Sequence, residues 1–142
     1  MFKIKRINIG SKLPYKVYDG DAGFDVFSDM ENCLLLPNEP IKFKLGFAIE
    51  LPERWFAFIQ EKSGMAINNK ICTIGNIIDS TYRGECHAIL CNIGLHPQEI
   101  KHGQKIAQMI IIPCYTLTEY TIADTLSETK RGENGFGSTG KK

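Results

Sequence analysis

The sequence has no long hydrophobic run: none of its apolar stretches approaches the ~20 residues that a membrane span needs. Its opening residues, MFKIKR, alternate between apolar and basic and lack the apolar block of a signal peptide, so they predict a first β-strand. We therefore expect an intracellular, cytoplasmic protein without a membrane partner. An apolar content of 43% in 142 residues suits one domain with a single core.

Net charge is also nearly absent from this chain. Seventeen Lys and Arg residues stand against sixteen Asp and Glu residues, which leaves +1 at pH 7. A chain this balanced has no overall field that would draw it to DNA, RNA or an anionic membrane. We therefore expect no nucleic-acid partner, and any binding of phosphate has to come from Lys and Arg residues placed locally.

Five cysteines are present, but no two of them have the C-x-x-C spacing that is typical of zinc sites and redox motifs. Cys86, Cys91 and His96 follow one another at intervals of five, which raises the alternative of a metal site. An odd spacing would place Cys86 and Cys91 on opposite faces of one continuous strand, which argues against that alternative. The favoured interpretation is reduced, mostly buried thiols in a reducing compartment.

Helix signals are almost absent. Only residues 63–69 predict a short helix, with Ser63 as its N-cap and asparagine at its end. Short runs rich in β-branched and aromatic residues alternate with turn residues elsewhere, which predicts an all-β sandwich or barrel. From Met109 to Ile112 both faces are apolar, so that strand is buried on both sides or lies at a subunit contact. The predicted strands span residues 2–9, 22–27, 33–36, 41–51, 55–60, 71–78, 85–92, 99–101 and 105–113.

Residues 75–85 predict the irregular tip of a β-hairpin. A β-branched run precedes them, another apolar run follows, and the tip itself holds Gly, Asn, Asp and Ser. Asp79 and Tyr82 display a carboxylate and an aromatic ring three residues apart. Such a tip suits the recognition of a small planar ligand and the transfer of a proton beside it. The alternative is an acidic surface turn with a half-buried tyrosine.

Three further stretches carry polar groups at the ends or in the middle of predicted strands. A pair of aspartates, the second being Asp25, brackets a glycine, which suits either a hard cation such as Mg²⁺ or a polar turn. Lys62, Ser63 and Gly64 stand at the start of the short helix, which suits either an anion or a plain N-cap. Gln108 is an amide in an apolar strand, and it needs a partner in the protein or in a ligand.

The C-terminal composition changes after Ala123 and becomes polar and glycine-rich. Residues 127–142 therefore predict a flexible arm that follows a β domain at residues 1–126. Arg131 and Phe136 lie among the glycines of this arm. Glycines let backbone N–H groups approach phosphate oxygens, and arginine adds a bidentate fork, so the arm suits a phosphate. The alternative is a disordered tail without a ligand.

Together these stretches resemble the homotrimeric, all-β deoxyuridine triphosphate nucleotidohydrolases (dUTPases), in the order that the family has them. The tail RGENGFGSTG is the most specific match and IDSTYRG the next, whereas DAGFD, SG and IAQ are weaker singly. The resemblance implies a jelly-roll-like β-barrel whose arm closes over an active site of neighbouring subunits. It also implies Mg²⁺-dependent hydrolysis of dUTP to dUMP and pyrophosphate, in a cell or, for a viral gene, in its host. That reaction keeps uracil out of DNA and supplies dUMP for thymidylate synthesis.

The resemblance also implies a role for each residue of the hairpin tip. Asp79 would be the general base that activates the water attacking the α-phosphorus. Tyr82 would pack on the deoxyribose and leave no room for a 2′-hydroxyl. The backbone at Asn76 and Ile77 would hydrogen-bond the uracil edge in a pattern that excludes cytosine.

The resemblance implies that the other motifs bind the phosphate chain and the metal. Lys62, Ser63, Gly64 and Gln108 would hold the phosphates. Mg²⁺ would be chelated mainly by the triphosphate, with Asp25 acting through water. The arm would hold the outer phosphates and stack its phenylalanine on the uracil, with the residues Arg131, Phe136, Gly137, Ser138 and Thr139.

Two positions depart from the family pattern. Lys62 stands where arginine usually precedes Ser-Gly, and lysine is a point charge rather than a fork. Asn76 stands where the hairpin usually has glycine, and asparagine tolerates a positive φ better than most residues. Both departures concern substrate affinity more than reaction type.

Two rival functions are set against this expectation. One is a dCTP deaminase of the same fold, against which the glycine-rich tail argues. The other is a catalytically idle nucleotide-binding or interaction module, against which Asp79 and Tyr82 argue.

Overall fold

The computed structural model describes residues 1–115 and 119–134. These residues form strands and one short π-helical turn, Met65–Asn69. None of their helices is long and apolar enough to cross a membrane. The strands are β1 (Lys3–Arg6), β2 (Phe24–Phe27), β3 (Cys33–Leu35), β4 (Pro40–Lys44), β5 (Phe47–Glu50), β6 (Trp55–Gln60), β7 (Ile71–Ile74), β8 (Ile77–Asp79), β9 (His87–Asn92), β10 (Gln98–Ile100) and β11 (Lys105–Pro113).

The strands form antiparallel sheets that enclose one hydrophobic core. The largest sheet has the order β2-β11-β6-β8, a second has the order β4-β9-β7, and β1-β5 and β10-β3 are two-stranded pairs. One face of each sheet points inward, and its side chains are fully buried, for example Phe43, Leu90 and Met109. This is the jelly-roll-like, all-β fold that the sequence predicts, with one short helix.

The outer face of the four-stranded sheet is apolar along its middle. Since side chains alternate along a strand, Phe56 and Phe58 of β6 lie on the face opposite to the buried Ala57 and Ile59. Ile110 and Ile112 of β11 lie beside them, opposite Phe58 and Phe56 respectively, and are only half-buried. The strand that the sequence predicts to be apolar on both faces is therefore buried on one face and half-covered on the other. We call this surface the outer apolar stripe.

Several predicted strands are shorter or divided in the structure. The limits of β6 and β11 are as predicted, but the run at residues 41–51 is split into β4 and β5 by Gly46, with φ +72°. The run at residues 71–78 is split into β7 and β8 by Gly75, with φ +62°. A single glycine inside an apolar run gives a weak sequence signal, although it permits the backbone to turn between sheets.

The predicted N-cap at Ser63 is wrong. The π-helical turn spans Met65–Asn69, residues 63–64 before it are already helical, and no side chain caps it. The backbone N–H of Ala66 donates instead to the carbonyl of Lys62 at 2.9 Å. The Ser63 hydroxyl is therefore not committed to the helix start and stays on an exposed segment.

The alternation of β3 gives a direct test of where the core lies. Leu35 is 0% exposed and its neighbour Leu34 is 59% exposed, because the two side chains point to opposite faces. We expect Leu35→Ala to lower the free energy of unfolding by about 2–5 kcal/mol, and Leu34→Ala to change it by about 0.5 kcal/mol or less. Urea titration of both variants measures this, and equal losses would contradict the fold.

Candidate active site

The predicted hairpin is present, and its tip is attached to two sheets. Strands β7 and β9 pair antiparallel, with Ile71 opposite Asn92 and Ile74 opposite Ile89. After Gly75 the chain crosses to the larger sheet, where β8 pairs with β6 and places Asp79 opposite Phe56. Asp79 is exposed at the end of β8. Its backbone is therefore fixed by pairing while its carboxylate faces solvent.

The loop after Asp79 holds the tyrosine in place. The backbone N–H of Tyr82 donates to the carbonyl of Asp79 at 3.1 Å, and its hydroxyl donates to the carbonyl of Glu85 at 3.0 Å. Gly84 leaves room for the ring, since a methyl group there would overlap the Tyr82 hydroxyl. The sequence prediction that the tip displays an acid beside a ring is confirmed in this geometry.

Asp79 and Tyr82 line one cavity of about 160 Å³, which we call the tip pocket. This is smaller than the ~300–1,000 Å³ of typical small-molecule sites. His87 also lines it, and the sequence reasoning missed this residue because nothing in its neighbourhood marks it. Burial, with help from nearby Lys42, lowers the pKa of His87, which keeps its ring neutral near pH 7. The pocket is lined by Gly75, Ile77, Ile78, Asp79, Tyr82, Glu85, His87 and Ile89.

Asn76 occupies the base of the tip without needing the backbone freedom of glycine. The residue with positive φ is Gly75, and Asn76 is not among the residues with positive φ. The carbonyl of Asn76 accepts the N–H of Ile59 at 2.8 Å, and its side-chain Oδ1 is buried without a hydrogen-bond partner in the described residues. Position 76 therefore does not require a residue that tolerates a positive φ, and asparagine fits there on the same terms as other residues.

A second pocket lies at the other end of the same sheet, and we call it the lysine pocket. The two oxygens of Asp25 are each paired: Lys62 Nζ contacts Oδ1, and Lys105 Nζ lies 2.8 Å from Oδ2. Lys105 also lies 5.0 Å from the centre of the Tyr15 ring. Gln108 lines this pocket as well. Sequence reasoning singled out Asp25, Lys62 and Gln108 but missed Lys105, whose partner is 80 residues away in the sequence.

The two lysines of the lysine pocket keep Asp25 in its charged form. Burial alone would raise the pKa of Asp25, but hydrogen bonds and charge from Lys105 and Lys62 hold that pKa below its ordinary value of 3.8. The hydrogen bond to Asp25 raises the pKa of Lys105. Asp21 also lines the pocket, so its two lysines stand beside two carboxylates. What the pocket offers an anionic ligand is therefore the N–H donors of the lysines rather than a net positive charge.

Ser63 and Gln108 line an adjoining part of the surface with Gln60, Glu61, Ala66 and Ile67. The side-chain amide of Gln108 donates to the carbonyl of Glu61 at 3.4 Å. A Cβ at Gly23 would come within 3.1 Å of Gln108 Oε1, so this glycine lets the β2 end approach the amide. Gly64 is exposed with nothing within 4 Å of an added Cβ. Gln108 therefore lies beside Lys62 in one pocket and beside Ser63 in the adjoining one, whereas Gly64 lines neither.

The arm is described only in part. Residues 119–134 contain no strand or helix, and Arg131 is exposed with its Nε donating to the carbonyl of Asn134 at 2.8 Å. Phe136, Gly137, Ser138 and Thr139 lie outside the described residues. Their predicted roles stay predictions.

The described residues contain no group of three or more His, Cys, Asp or Glu side chains placed to hold a metal ion. This argues against the zinc alternative for Cys86, Cys91 and His96. The cysteines in these residues are free thiols, and burial raises the pKa of Cys86 to about 12. That thiol is protonated and inert at neutral pH.

The two pockets of one chain lie far apart on the same face of the four-stranded sheet. Asp79 is opposite Phe56 and Gln108 is opposite Gln60, so they are separated by four positions along β6 and lie on either side of it. At ~3.3 Å per residue and ~4.8 Å per strand, their backbones are roughly 16 Å apart. The outer apolar stripe lies between them.

These features define a class of protein: an all-β protein with a pocket that holds two lysines and a separate pocket built around an acid and an aromatic ring. Comparison with known proteins gives the family. A family model described as dUTPase matches residues 10–140, and the chain belongs to this family.

Curated relatives cover nearly the whole chain. It is 43% identical over 142 residues to the deoxyuridine 5′-triphosphate nucleotidohydrolase of Alkaliphilus metalliredigens, covering 99% of this chain and 97% of the relative. It is 40% identical over 139 residues to the enzyme of the same name from Clostridium novyi, covering 96% of each.

Solved structures agree on the fold. The dUTPase of Staphylococcus bacteriophage 80alpha, determined with dUpNHpp, superposes with a TM-score of 0.87 at 24% identity and covers 99% of this chain and 98% of that chain. A mutant dUTPase from phage phi11 of S. aureus, described as showing the coordination of a structural Mg(II) ion, has a TM-score of 0.81 at 20% identity. It covers 89% of this chain and 99% of that one.

The ion pairs of Asp25 predict how acid affects the protein. Because the folded-state pKa of Asp25 is below 3.8, its contribution to stability is present above that value and is lost as the pH falls through the lower one. We expect Asp25→Asn to destabilise the protein at pH 7 and to have a smaller effect near pH 3. Urea unfolding at both pH values measures the difference, with exposed Asp19→Asn as the control. A loss that is equal at the two pH values would contradict the ion-pair account.

Proposed function

We propose that this protein hydrolyses dUTP to dUMP and pyrophosphate. The observation that carries the proposal is the exposed Asp79 beside Tyr82 at a hairpin tip, in a chain that belongs to the dUTPase family. Relatives with about 40% identity over nearly the whole chain are named for this activity. Pyrophosphate release from dUTP, with UTP, dCTP and dTTP as controls, tests it.

In this proposal the hairpin tip binds the base and the sugar. The backbone at Asn76 and Ile77 hydrogen-bonds the uracil edge, and a cytosine amino group there would leave buried groups unpaired. Tyr82 is held on the tip by Glu85 and packs against the deoxyribose, where a 2′-hydroxyl finds no space. Asp79 accepts a proton from the water that attacks the α-phosphorus.

The lysine pocket holds the phosphates in this proposal. Lys62 supplies positive charge, Ser63 a hydroxyl, Gly64 a backbone N–H without side-chain obstruction, and Gln108 an amide. The position of Lys62 and Gln108 in one pocket, with Ser63 beside Gln108 in the adjoining one, supports this assignment. Arg131, Phe136, Gly137, Ser138 and Thr139 of the arm hold the outer phosphates and cover the base.

Magnesium is part of the same proposal, and the carboxylate present fits contact with the ion through water. Mg²⁺ usually takes one or two carboxylates plus substrate phosphates and retains several waters. Asp25 is a carboxylate at the phosphate pocket, but both its oxygens are engaged by lysines, so it suits contact through water. When bound, the ion neutralises charge on the phosphates and helps to orient them.

A homotrimer with shared sites completes the proposal. The tip pocket and the lysine pocket of one chain are roughly 16 Å apart, too far for Asp79 and Lys62 of the same chain to act together at one α-phosphorus. The tip pocket is small, and the outer apolar stripe between the pockets is suited to contact with a second copy. In this arrangement one subunit gives the tip, a second gives the phosphate residues, and residues 127–142 of a third close over them.

Asp79→Asn separates binding from chemistry. Asparagine keeps the size of the side chain but cannot accept the proton, so we expect kcat for dUTP to fall by about 10²- to 10⁴-fold with little change in the affinity for a non-hydrolysable analogue. Pyrophosphate release and isothermal titration measure the two quantities, with Asp19→Asn as the control. Full turnover by Asp79→Asn would remove Asp79 from the mechanism.

Deletion of residues 131–142 tests the arm. The deleted segment begins after the last strand of the described chain, so the domain should keep its melting temperature and oligomeric state. Loss of the arm should lower kcat/KM for dUTP by about 100-fold or more, because the triphosphate is no longer held in line. Sedimentation and kinetics on the same sample measure both. An unchanged kcat/KM would show that the arm is not a lid.

A further inference from the structure

Glu61 has no role in the site as described so far, although it lies directly before Lys62. It follows the last residue of β6 and is half-buried. Its Oε2 accepts a hydrogen bond from the hydroxyl of Thr73 at 2.8 Å, and the backbone N–H of Thr73 lies 3.4 Å from the same oxygen. Thr73 is in the middle of β7 and is only 8% exposed. The segment carrying Lys62 is therefore tied to a buried strand of the other sheet.

The Thr73 hydroxyl has two possible acceptors but one hydrogen. The carbonyl of Ile59 lies 3.3 Å away and the Glu61 carboxylate lies 2.8 Å away. A short bond to an ionised oxygen is the stronger of the two. Burial alone would raise the pKa of Glu61, but the hydrogen bond from Thr73 and neighbouring donors lower it, so the carboxylate is ionised at neutral pH. The link is a charge-assisted hydrogen bond.

The backbone of Glu61 carries a second link. Its carbonyl accepts the side-chain amide of Gln108 at 3.4 Å, so the residue connects β7, β11 and the segment that begins at Lys62. Two of the side chains assigned to phosphate binding are therefore linked to Glu61. Lys62 follows it in the chain, and Gln108 donates a hydrogen bond to its carbonyl. Ser63 and Gly64 are exposed, so few contacts of their own hold them.

We propose that Glu61 is a positioning residue that fixes the phosphate-binding segment, Lys62 to Gly64, by its hydrogen bond to Thr73. The inference rests on the proposed function for the identity of the ligand, but the positioning itself is a property of the chain. Without the bond, the segment gains freedom that a bound triphosphate has to remove, so binding of the triphosphate weakens. The base and sugar, which bind at the tip of another subunit, are not affected.

Thr73→Val tests the link because valine keeps the shape of threonine and removes the hydroxyl. Thr73→Ser is the matched control, since it keeps the hydroxyl. We expect Thr73→Val to weaken the binding of a non-hydrolysable dUTP analogue about five- to tenfold, a loss within the range that one hydrogen bond contributes. Binding of deoxyuridine, which has the base and sugar but no phosphate, should change less than about twofold. Titration of both ligands into the full-length protein measures this.

Glu61→Ala, alone and combined with Thr73→Val, shows whether Glu61 and Thr73 act through each other. Glu61→Ala should resemble Thr73→Val, and the double variant should be no worse than either single variant. Glu61→Gln keeps an acceptor oxygen for Thr73 and should restore most of the affinity. Equal weakening of deoxyuridine and the analogue, or analogue binding that Thr73→Val leaves unchanged, would overturn the proposal.

Amide hydrogen exchange gives a readout that does not depend on dUTP. The N–H groups of residues 62–66 should exchange faster in Thr73→Val than in Thr73→Ser, while those of β9 stay protected. Unchanged exchange would overturn the positioning role even in an active enzyme. Faster exchange in a protein that does not hydrolyse dUTP would refute the proposed function and leave the positioning role standing.

Discussion

The attachment of one hairpin to two sheets is the constraint on which the site depends. Strands β7 and β9 pair in the smaller sheet, and β8, which follows β7 directly, pairs with β6 in the larger one. The change of sheet requires the positive φ of Gly75. Asp79 therefore stands at the end of a strand that is paired with β6 in the larger sheet and joined through Gly75 to β7 in the smaller one, and Tyr82 is hydrogen-bonded to Glu85 on the same loop. The geometry at the tip follows from this sheet pairing.

The same pairing explains why one chain is not a complete enzyme in our proposal. Strand β6 carries β8 on one side and β11 on the other, so it holds Asp79 near one end and Gln108 near the other. Sheet geometry makes this separation unavoidable, because neither strand can slide without turning its buried side chains outward. Between the two ends the outer face offers phenylalanine and isoleucine rather than polar groups. In our proposal a second copy covers that face and supplies the lysine pocket that acts with the tip.

The sequence predicts correctly the strands whose apolar pattern is uninterrupted. It predicts one strand instead of two where a single glycine lets the backbone turn from one sheet to another. The limits of β6 and β11 follow from their apolar runs, whereas the breaks at Gly46 and Gly75 appear in sequence as single glycines among apolar residues. The predicted cap at Ser63 fails because residues 63–64 are already helical and no side chain caps the turn. Lys105 and Glu61 were given no role for a different reason: their partners, Asp25 and Thr73, are distant in sequence, and pairing between distant strands leaves no local pattern.

The ion pairs of Asp25 with Lys62 and Lys105 suggest a physical reason for lysine, instead of the family's usual arginine, at position 62. In the single chain Lys62 is held by Asp25, so in our proposal a phosphate has to compete with that carboxylate for the ammonium group. Asp25 keeps Lys105 on its other oxygen, which means that it is not left as an unpaired buried charge when Lys62 turns to a ligand. A lysine, with one mobile charge on a flexible stem, can make that exchange by rotating its side chain, whereas an arginine fork would have to give up two parallel hydrogen bonds. The backbone beneath Lys62 must then stay in place while its side chain moves, and the bond from Glu61 to Thr73 meets this requirement.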